Sequence, residues 1–315
     1  MTLTDYMRIP SEDREYDVKE VLIEDYDLIK HYFMLRRPEA SDSNIFDLFL
    51  WKDCYQTWYF ITDKGLMYVA VDEDGQYYSS VPCCKNEDMK ECFETIRHFF
   101  NDILEQKLIM EVFDAEALKL LDLSEDDFII TRQREYDDYI YDAQKMQTLS
   151  GRKYHKKKNH LNAFKKQYEG RYEFRMLTCS DKQNILDFLD KWVEDKSDAE
   201  DRIYIEYEAK GIDYVLNNCD ILEFKAGGVF IDNELKAFTI GCYEPLEDMV
   251  YIPVEKADSD IRGLYTYICS EFLKQAYPDA AKVNREDDMG LEGLRKSKMS
   301  YNPIYMIEKY NIIQK

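Results

Sequence analysis

One order of predicted elements occurs twice along this chain, and this repetition constrains the fold more than any single motif. In the first half, alternating apolar residues predict a meander of strands, residues 89–106 have apolar side chains at helical spacing, and residues 109–114 predict another strand. In the second half, residues 221–257 predict a strand meander, 262–276 a crossover helix and 280–284 a further strand. This order predicts two related α+β domains, each built on a mixed α/β sheet.

Length and composition allow two such domains. The chain has 315 residues, of which 45% are apolar and 14% aromatic, which is enough for two separate cores. We place the boundary near residues 142–150. This predicts an N-terminal domain of residues 1–145 and a C-terminal domain of residues 146–315, whose last strand, PIYMIEKYNI, closes its own sheet.

The segment GRKYHKKKNHLNAFKK at residues 151–166 departs from an otherwise acidic chain. It holds seven Lys or Arg residues and two His residues without an acid, whereas the net charge of the whole chain is −22. Such a net charge opposes general affinity for nucleic acid or anionic membranes. Any binding of a polyanion must therefore be local.

This basic segment predicts an amphipathic entry helix over residues 151–168. Ser150 is a candidate N-cap, and an apolar stripe of Tyr154, Leu161 and Phe164 would face inward. The outer face either binds phosphate, for which lysine is a suitable point charge, or balances acids of the first domain. The residues expected to face solvent are Lys153, Lys156, Lys157, His160 and Lys166. The residues expected to contact a phosphate-bearing donor are Lys153, His155, Lys156, Lys157, Lys158, Asn159 and His160.

Four stretches resemble a known family. They are LSGRKYHKKKNHLNAF at 149–164, GGVF at 227–230, EKAD at 255–258 and NREDDMGLEGLRKSKMSYNP at 284–303. Together, over most of the chain, they resemble the family named for the C-terminal domain of bacterial phosphatidylglycerol lysyltransferases. The resemblance implies tandem GNAT-like (acyl-CoA N-acyltransferase-like) domains, related in architecture to the aminoacyl-tRNA-dependent transferases that build peptidoglycan cross-bridges.

The loop that would bind CoA departs from the GNAT pattern. GNAT enzymes hold the CoA pyrophosphate on a loop written Q/R-x-x-G-x-G/A at the start of the crossover helix, and residues 260–265 here read DIRGLY. Asp260 stands where a cation or amide is expected, and Tyr265 stands where a small residue must let the pyrophosphate approach. We therefore disfavour acetyl-CoA and expect no cofactor, although Arg262 at the helix start could bind another anion.

Two polar stretches that follow predicted strands supply candidate chemistry. Acyl transfer to an amine or hydroxyl needs a base for the nucleophile and a cation or N–H donor for the oxyanion. Glu255 or Asp258 fits the first role. Lys256, Arg295 or Lys298 fits the second. The residues expected to orient substrate are Asn284, Arg285, Glu286 and Asp288. The same side chains would also suit a salt-bridge network that fastens the last helix to the sheet.

Two classes of function stay open. The first is an acyl or aminoacyl transferase that uses charged tRNA or another phosphate-bearing donor and a small-molecule or peptide acceptor. The second is a non-catalytic module that keeps the fold to bind RNA or a phosphorylated metabolite. A deep pocket joining residues 255–258 with 284–298 would favour the enzyme, and cross-paired side chains there would favour the binding module.

The N-terminal sequence and the cysteines indicate a cytoplasmic protein. MTLTDYMRIPSEDREYD has neither the basic start nor the apolar stretch of a signal peptide, and no run approaches the length of a membrane span. The eight cysteines are scattered without a C-x-x-C motif, so we expect reduced, mostly buried thiols. With only four histidines in the chain, we expect no metal site.

Overall fold

The structure is a computed structural model that describes residues 1–72, 74–196, 199 and 201–315. Its internal contacts divide the chain into unit 1, Met1–Asp137 with Ile307–Lys315, and unit 2, Asp138–Met306. This division begins the second unit at Asp138, earlier than the expected boundary after residue 145, and assigns the C-terminal strand to the first unit.

Unit 1 contains two sheets with helices packed on them. The first sheet comprises β1 (Lys19–Glu20), β2 (Gln56–Ile61), β3 (Gly65–Val71), β4 (Tyr77–Tyr78) and β5 (Cys83–Cys84). The second has the order β6 (Ile109–Asp114), β15 (Lys309–Gln314), β7 (Phe128–Arg132). The helices are α1 (Leu3–Arg8), α2 (Tyr26–Phe33), α3 (Ile45–Leu50), α4 (Met89–His98) and α5 (Ala115–Leu121).

Helix α4 forms where the apolar spacing predicts a helix. Its inward residues Met89, Cys92, Phe93 and Ile96 are all buried, and a π-helical segment continues it over Phe99–Ile103. Because apolar residues three and four apart share one face of a helix, this stripe packs into the unit 1 core.

Unit 2 contains one seven-stranded mixed sheet. Its strand order is β14 (Tyr305–Ile307), β8 (Asp138–Asp142), β13 (Lys282–Asn284), β12 (Met249–Ala257), β11 (Glu234–Glu244), β10 (Lys225–Ile231), β9 (Tyr172–Leu177). The helices are α6 (Ala143–Thr148), α7 (His155–Gln167), α8 (Lys182–Asp195), α9 (Arg202–Asn217), α10 (Leu264–Ala276) and α11 (Glu292–Met299). None of the helices in the described ranges is long and apolar enough to cross a membrane.

The crossover helix α10 connects two parallel strands and forms the centre of the unit 2 core. Ile268, Phe272 and Leu273 on this helix have no exposed surface. On β10, a Cβ at Gly227 would lie 2.9 Å from the Phe272 ring and 2.6 Å from the Phe174 ring. The glycine therefore lets these rings pack directly onto the sheet.

Strand β13 pairs with only the first part of β12. Their parallel register ends at Tyr251 with Asn284, whereas β12 continues to Ala257. The strands therefore separate after Tyr251, beside the start of α10. The chain segments that follow this point supply the candidate site.

Two sequence expectations about the chain's connections are wrong. The predicted last strand is two strands: β14 lies next to β8 in unit 2, but β15 pairs with β6 and β7 in unit 1. The reason is burial, since Ile312 packs fully inside the unit 1 core.

Cys179 and Cys219 are not free thiols but form a disulfide, because the turns before α8 and after α9 bring their Cα atoms within 6.1 Å. Five of the six other cysteines are buried.

Candidate functional site

An ion pair spans the separated ends of β12 and β13. Arg285 follows the last paired residue of β13, and its Nη2 atom lies 2.8 Å from Oε1 of Glu255 near the end of β12. The Arg285 and Glu255 side chains are 12% and 7% exposed, so the pair is nearly excluded from water. The structure thus brings together one predicted base and one predicted substrate-orienting residue.

Each member of this pair retains an unused polar atom. Oε2 of Glu255 and Nη1 of Arg285 are buried and have no hydrogen-bond partner among the described residues. The thiol of Cys269 on α10 lies nearby: burial, and then the Glu255 carboxylate, raise the pKa of that thiol. The ion pair itself therefore leaves one buried acceptor atom of Glu255 and one buried donor atom of Arg285 unused, and the Cys269 thiol interacts with the same carboxylate. Buried polar atoms without a partner are costly.

Lys157 of α7 adds a second cation. Its Nζ atom lies 3.7 Å from the centroid of the Tyr301 ring, and the guanidinium carbon of Arg285 lies 5.0 Å from the same centroid. Burial, and then the charge of Arg285, lower the pKa of Lys157 to about 8. A half-buried cation facing a second cation favours a bound negative oxygen, which would relieve both penalties.

Tyr301 is held in place from two sides. The hydroxyl of Tyr154 donates to the backbone carbonyl of Tyr301 at 2.8 Å, and the hydroxyl of Tyr301 lies 3.4 Å from Oγ1 of Thr266. Tyr154 ends the 3-10 turn just before α7, and Thr266 lies in the first turn of α10. The ring that contacts both cations is therefore held by the residue before α7 and by α10.

The expectation that Lys157 faces solvent is wrong. Ser150 does not start the helix: Gly151, with φ +96°, precedes a 3-10 turn at Arg152–Tyr154, and α7 begins at His155. Lys157 lies three residues after Tyr154 and four before Leu161, so it falls on the same inward stripe as these buried residues.

The outer face of α7 is as expected for most of its residues. Lys153, His155, Lys156, Lys158, Asn159 and Lys166 are exposed. His160 is half-buried rather than solvent-facing, because its backbone packs on the start of α10. Burial, and then the charges of Arg262 and Lys157, lower the pKa of His160. The exposed lysines form a cationic surface beside the half-buried Lys157.

Gly263 marks that packing of α7 on the start of α10. Its φ is +88°, and a Cβ at this position would lie 2.3 Å from the carbonyl oxygen of His160. Only glycine permits both the backbone conformation and this approach. Arg262, the neighbouring predicted anion contact, is exposed.

The loop after β13 is held by its own side chains. Asn284 donates to Asp138 at 3.0 Å and accepts from the backbone N–H of Glu286, whose φ is +56°. Asp288 accepts from the Tyr139 hydroxyl and from Arg295. Burial alone would raise the pKa of Asp288, but the hydrogen bonds from Arg295 and Tyr139 outweigh it and lower that pKa.

Two side chains predicted to be catalytic cations, Arg295 and Lys298, instead bind groups of this loop. Arg295 pairs with Asp288 at 2.7 Å. Lys298 is buried, and its ammonium donates to the backbone carbonyls of Arg285 and Asp287. Burial lowers the pKa of Lys298. These contacts fasten α11 to the loop and thereby position Arg285.

Lys256 and Asp258 lie away from the Glu255–Arg285 pair. Adjacent residues of a strand point to opposite faces, and Lys256 accordingly pairs with Glu208 of α9 at 2.6 Å and lies 4.6 Å from the Trp192 ring centroid. Asp258 accepts from the backbone N–H of Asp260 at 3.0 Å, in the turn that leads to α10. Both stabilise the surroundings of the site.

Sequence reasoning missed Tyr301 and Cys269. Tyr301 lies within the polar stretch 284–303, so its position there was a usable signal. Cys269 had no distinguishing signal, since one buried thiol among eight cysteines looks like any other.

The fold and the site define a class: tandem GNAT-like proteins of mixed α and β structure with a charged centre where the sheet separates. The model for the family described as phosphatidylglycerol lysyltransferase, C-terminal, matches residues 33–313. The chain therefore belongs to this family, as its sequence motifs suggested.

Solved structures support the fold assignment. A conserved protein of unknown function from Bacteroides thetaiotaomicron VPI-5482 superposes with a TM-score of 0.85 and 29% identity, covering 95% of this chain and 100% of that chain. The L-PGS structure from Bacillus licheniformis has a TM-score of 0.65 at 15% identity, covering 91% of each chain. A tandem GNAT protein from the clavulanic acid biosynthesis pathway has a TM-score of 0.50 at 8% identity, covering 95% and 98%. The predicted fold class is confirmed.

One curated relative also matches. An uncharacterised protein of Mycoplasmoides gallisepticum is 28% identical over 172 residues, which are 55% of this chain and 54% of that protein. The match thus spans about half the length of the relative.

Proposed function

We propose that this protein is a cytoplasmic aminoacyl transferase that moves an aminoacyl group from charged tRNA, or another phosphate-bearing donor, to an amine or hydroxyl acceptor. One observation carries the proposal. In unit 2, Lys157 and Arg285 place two cations against the single carboxylate of Glu255, in a nearly buried setting where the sheet separates. Family membership agrees with the reaction class.

The excess cation suits the negative charge that forms during acyl transfer. Attack on the ester carbonyl gives a tetrahedral intermediate with a negatively charged oxygen, which Nζ of Lys157 and Nη1 of Arg285 would stabilise. In water-poor surroundings such donors are worth far more than in bulk solvent. Removing one donor of this kind typically costs about 10²–10³ in kcat.

Glu255 is our candidate for the base. Its Oε2 atom has no hydrogen-bond partner among the described residues and can take a proton from the acceptor amine or hydroxyl. The new bond then joins the acceptor to the carbonyl carbon, the ester C–O bond breaks, and the proton passes to the departing ribose hydroxyl. The reaction needs no redox partner.

The outer face of α7 suits the phosphates of the donor. Lys153, in the turn before α7, and Lys156 and Lys158, which flank Lys157 on the helix, are all exposed. In a chain of net charge −22, a local cationic surface is the part that can attract a polyanion. The same helix would therefore bind the donor through its exposed lysines and assist the chemical step through Lys157.

The start of α10 supports a donor other than acetyl-CoA. In GNAT enzymes the pyrophosphate binds the loop at this point, but here the backbone of His160 packs against Gly263. Asp260 would in addition repel the pyrophosphate. We expect calorimetric titration to show no micromolar affinity for CoA, and micromolar binding that maps to residues 260–265 would restore an acetyltransferase function.

A transfer assay with charged tRNA and a panel of amines and alcohols tests the proposal. The wild type should transfer the aminoacyl group to at least one acceptor class, and Lys157→Met should reduce the rate about 100-fold or more. Lys156→Met is the matched control, since Lys156 is exposed and one residue away; at saturating charged tRNA, where donor binding no longer limits the rate, its rate should be unchanged. Equal rates for the Lys157 and Lys156 variants would contradict the proposal.

The cross-pairing of the predicted residues favours a second candidate, a non-catalytic module that binds RNA or a phosphorylated metabolite. Glu255 pairs with Arg285, Lys256 with Glu208, and Asp288 with Arg295. Such a network can serve the fold alone. Binding of RNA without transfer to any acceptor, at every pH from 6 to about 9, would support this second function over the first.

A further inference from the structure

A sulfur and carboxylate cluster lies away from the candidate site, at one end of the helical pair α8–α9. Its members are Cys179, Cys219 and Asp220, whose ligand atoms all lie within 4.8 Å of one another. Cys179 and Asp220 are exposed and Cys219 is half-buried. The two sulfur atoms are joined as a disulfide.

The surrounding structure holds this cluster in place. Cys179 lies in a 3-10 turn that leads into α8, and a capping box between Thr178 and Asp181 fixes that turn. Cys219 and Asp220 follow the end of α9. Lys182 is the nearby cation, and it is paired with Asp213 at 3.1 Å. The geometry that brings the sulfur atoms together thus comes from well-formed helix ends on both sides.

We propose that the reduced form of this cluster binds a zinc ion through Cys179, Cys219 and Asp220, and that the disulfide is the oxidised alternative. Two thiolates and a carboxylate are ligands that zinc accepts, and water can complete a tetrahedron. Zn–S bonds of about 2.3 Å place two sulfur ligands roughly 3.8 Å apart in a tetrahedral site. The two sulfur atoms, which are bonded to each other in the disulfide, would move apart to this distance on reduction, with Asp220 already close to both.

The two forms interconvert by ordinary thiol chemistry. A dithiol reductant attacks the disulfide and is itself oxidised to a disulfide, which leaves Cys179 and Cys219 as thiols. Zinc then displaces one proton from each thiol as it binds, so binding weakens at low pH. Thiolate ligands select zinc over magnesium and calcium, which prefer oxygen.

The cluster lies at the ends of two helices that contact a strand of the candidate site. Disulfide and zinc would each tie the start of α8 to the end of α9. These helices hold Trp192 and Glu208 against Lys256 of β12, the residue adjacent to Glu255. Either link would strengthen this support, whereas with free thiols the support would depend on the packing of the two helices alone.

Zinc titration of the reduced protein tests the proposal. The protein is reduced with a phosphine, freed of metal, and titrated with Zn²⁺ against a chromophoric chelator; one zinc ion should bind per chain. Cobalt in place of zinc should give the sulfur-to-metal absorption and visible bands of a tetrahedral site. The unreduced protein should bind no zinc at this site, because its two thiols are joined.

Matched variants separate this site from other thiols. Cys179→Ser and Cys219→Ser should each abolish binding, and Asp220→Asn should weaken it about 10-fold or more. Cys83→Ser, which removes a half-buried thiol of unit 1, should bind like the wild type. As a check independent of variant folding, native alkylation of the reduced protein should block zinc uptake without changing its circular dichroism. Zinc binding that is unchanged in Cys179→Ser, or a reduced wild type that binds none, would overturn the proposal.

Discussion

The two units share a strand arrangement but differ in the charges placed at it. In each unit, the segment before the crossover helix pairs in parallel with the segment after it. In unit 1 this is the bridge of Ser79 with Met110, which flank α4, and in unit 2 it is the pairing of β12 with β13, which flank α10. In unit 2 Arg285 follows this contact directly, and Lys157 of α7 adds a second cation beside the Arg285–Glu255 pair. In unit 1 the residue after the contact is Glu111, a half-buried acid.

Burial shifts the two pKa values in opposite directions, because it penalises the charged form in both places. Burial, and then Asp72, raise the pKa of Glu111, so the unit 1 acid tends toward its neutral form. Burial, and then Arg285, lower the pKa of Lys157, so the unit 2 cation is also penalised. However, Lys157 stands on a fixed aromatic ring beside the unused atoms of an ion pair. The comparison teaches that a shared architecture does not share chemistry, and it is the reason that we propose unit 2 as the place of the reaction.

The largest expected effect is on stability, from removing Arg285. Arg285→Met leaves the Glu255 carboxylate buried without its partner, which should cost about 3–5 kcal/mol. The double variant Glu255→Gln with Arg285→Met should recover much of that loss, since no uncompensated charge remains. Urea unfolding measures both. If Arg285→Met lowers the free energy of unfolding by less than about 1 kcal/mol, the pair is not buried in solution. The contrast between the two units would then be lost.

A smaller effect is expected from the titration of Lys157. Its pKa in the folded protein, about 8, lies below the ordinary 10.5, so the unfolded chain binds more protons between these values. Folded stability should therefore rise as pH increases through that window, by about 3 kcal/mol relative to Lys157→Met. Urea unfolding of both proteins from pH 7 to about 10.5 tests this. A constant difference between them would mean that Lys157 titrates normally.

The outer face of α7 should affect RNA binding and not stability. Replacing Lys153, Lys156 and Lys158 by Gln should reduce the slope of log affinity against log salt by about 0.9 for each phosphate that the variant no longer neutralises. Anisotropy titrations at several salt concentrations give the slope. The control variant carries the same charge change at three exposed lysines of unit 1, Lys85, Lys90 and Lys119. An equal change of slope in both variants would mean that these lysines contribute no more to RNA binding than other exposed lysines do.

The smallest expected effect is in unit 1. Because the pKa of Glu111 is raised, its contribution to stability is complete below its unfolded value and declines as pH rises through the folded value. Glu111→Gln removes this decline, so the variant should be slightly more stable than the wild type at pH 7, within about 1 kcal/mol. Thermal or urea unfolding measures the difference. A loss of stability would instead give Glu111 a favourable role in its charged form.

Much of the fold could be predicted because its signals are local. The apolar spacing of α4 and the alternation of the strand meanders determine which faces are buried, and both appear in short windows of sequence. The meeting of Glu255 with Arg285 was also foreseeable, since polar residues that follow neighbouring strands lie at one edge of the sheet.

The rest depends on contacts between distant residues. The assignment of β15 to unit 1 depends on its pairing with β6 and β7, more than 170 residues away. The disulfide joins residues 40 apart that share no motif. Lys157 is different, because its spacing from Tyr154 and Leu161 was visible. A lysine on an apolar stripe is a local conflict, and such conflicts often mark functional positions.

Single-turnover transfer with wild type and Lys157→Met tests the central claim most directly. At saturating charged tRNA and acceptor, donor binding no longer limits the rate, so the measurement reports the chemical step that the inner cations are proposed to assist. We expect the wild type to transfer and the variant to be about 100-fold slower or worse, with Lys156→Met at the wild-type rate. A Lys157→Met protein as fast as the wild type, or a wild type that binds charged tRNA and transfers to no acceptor, would contradict the account.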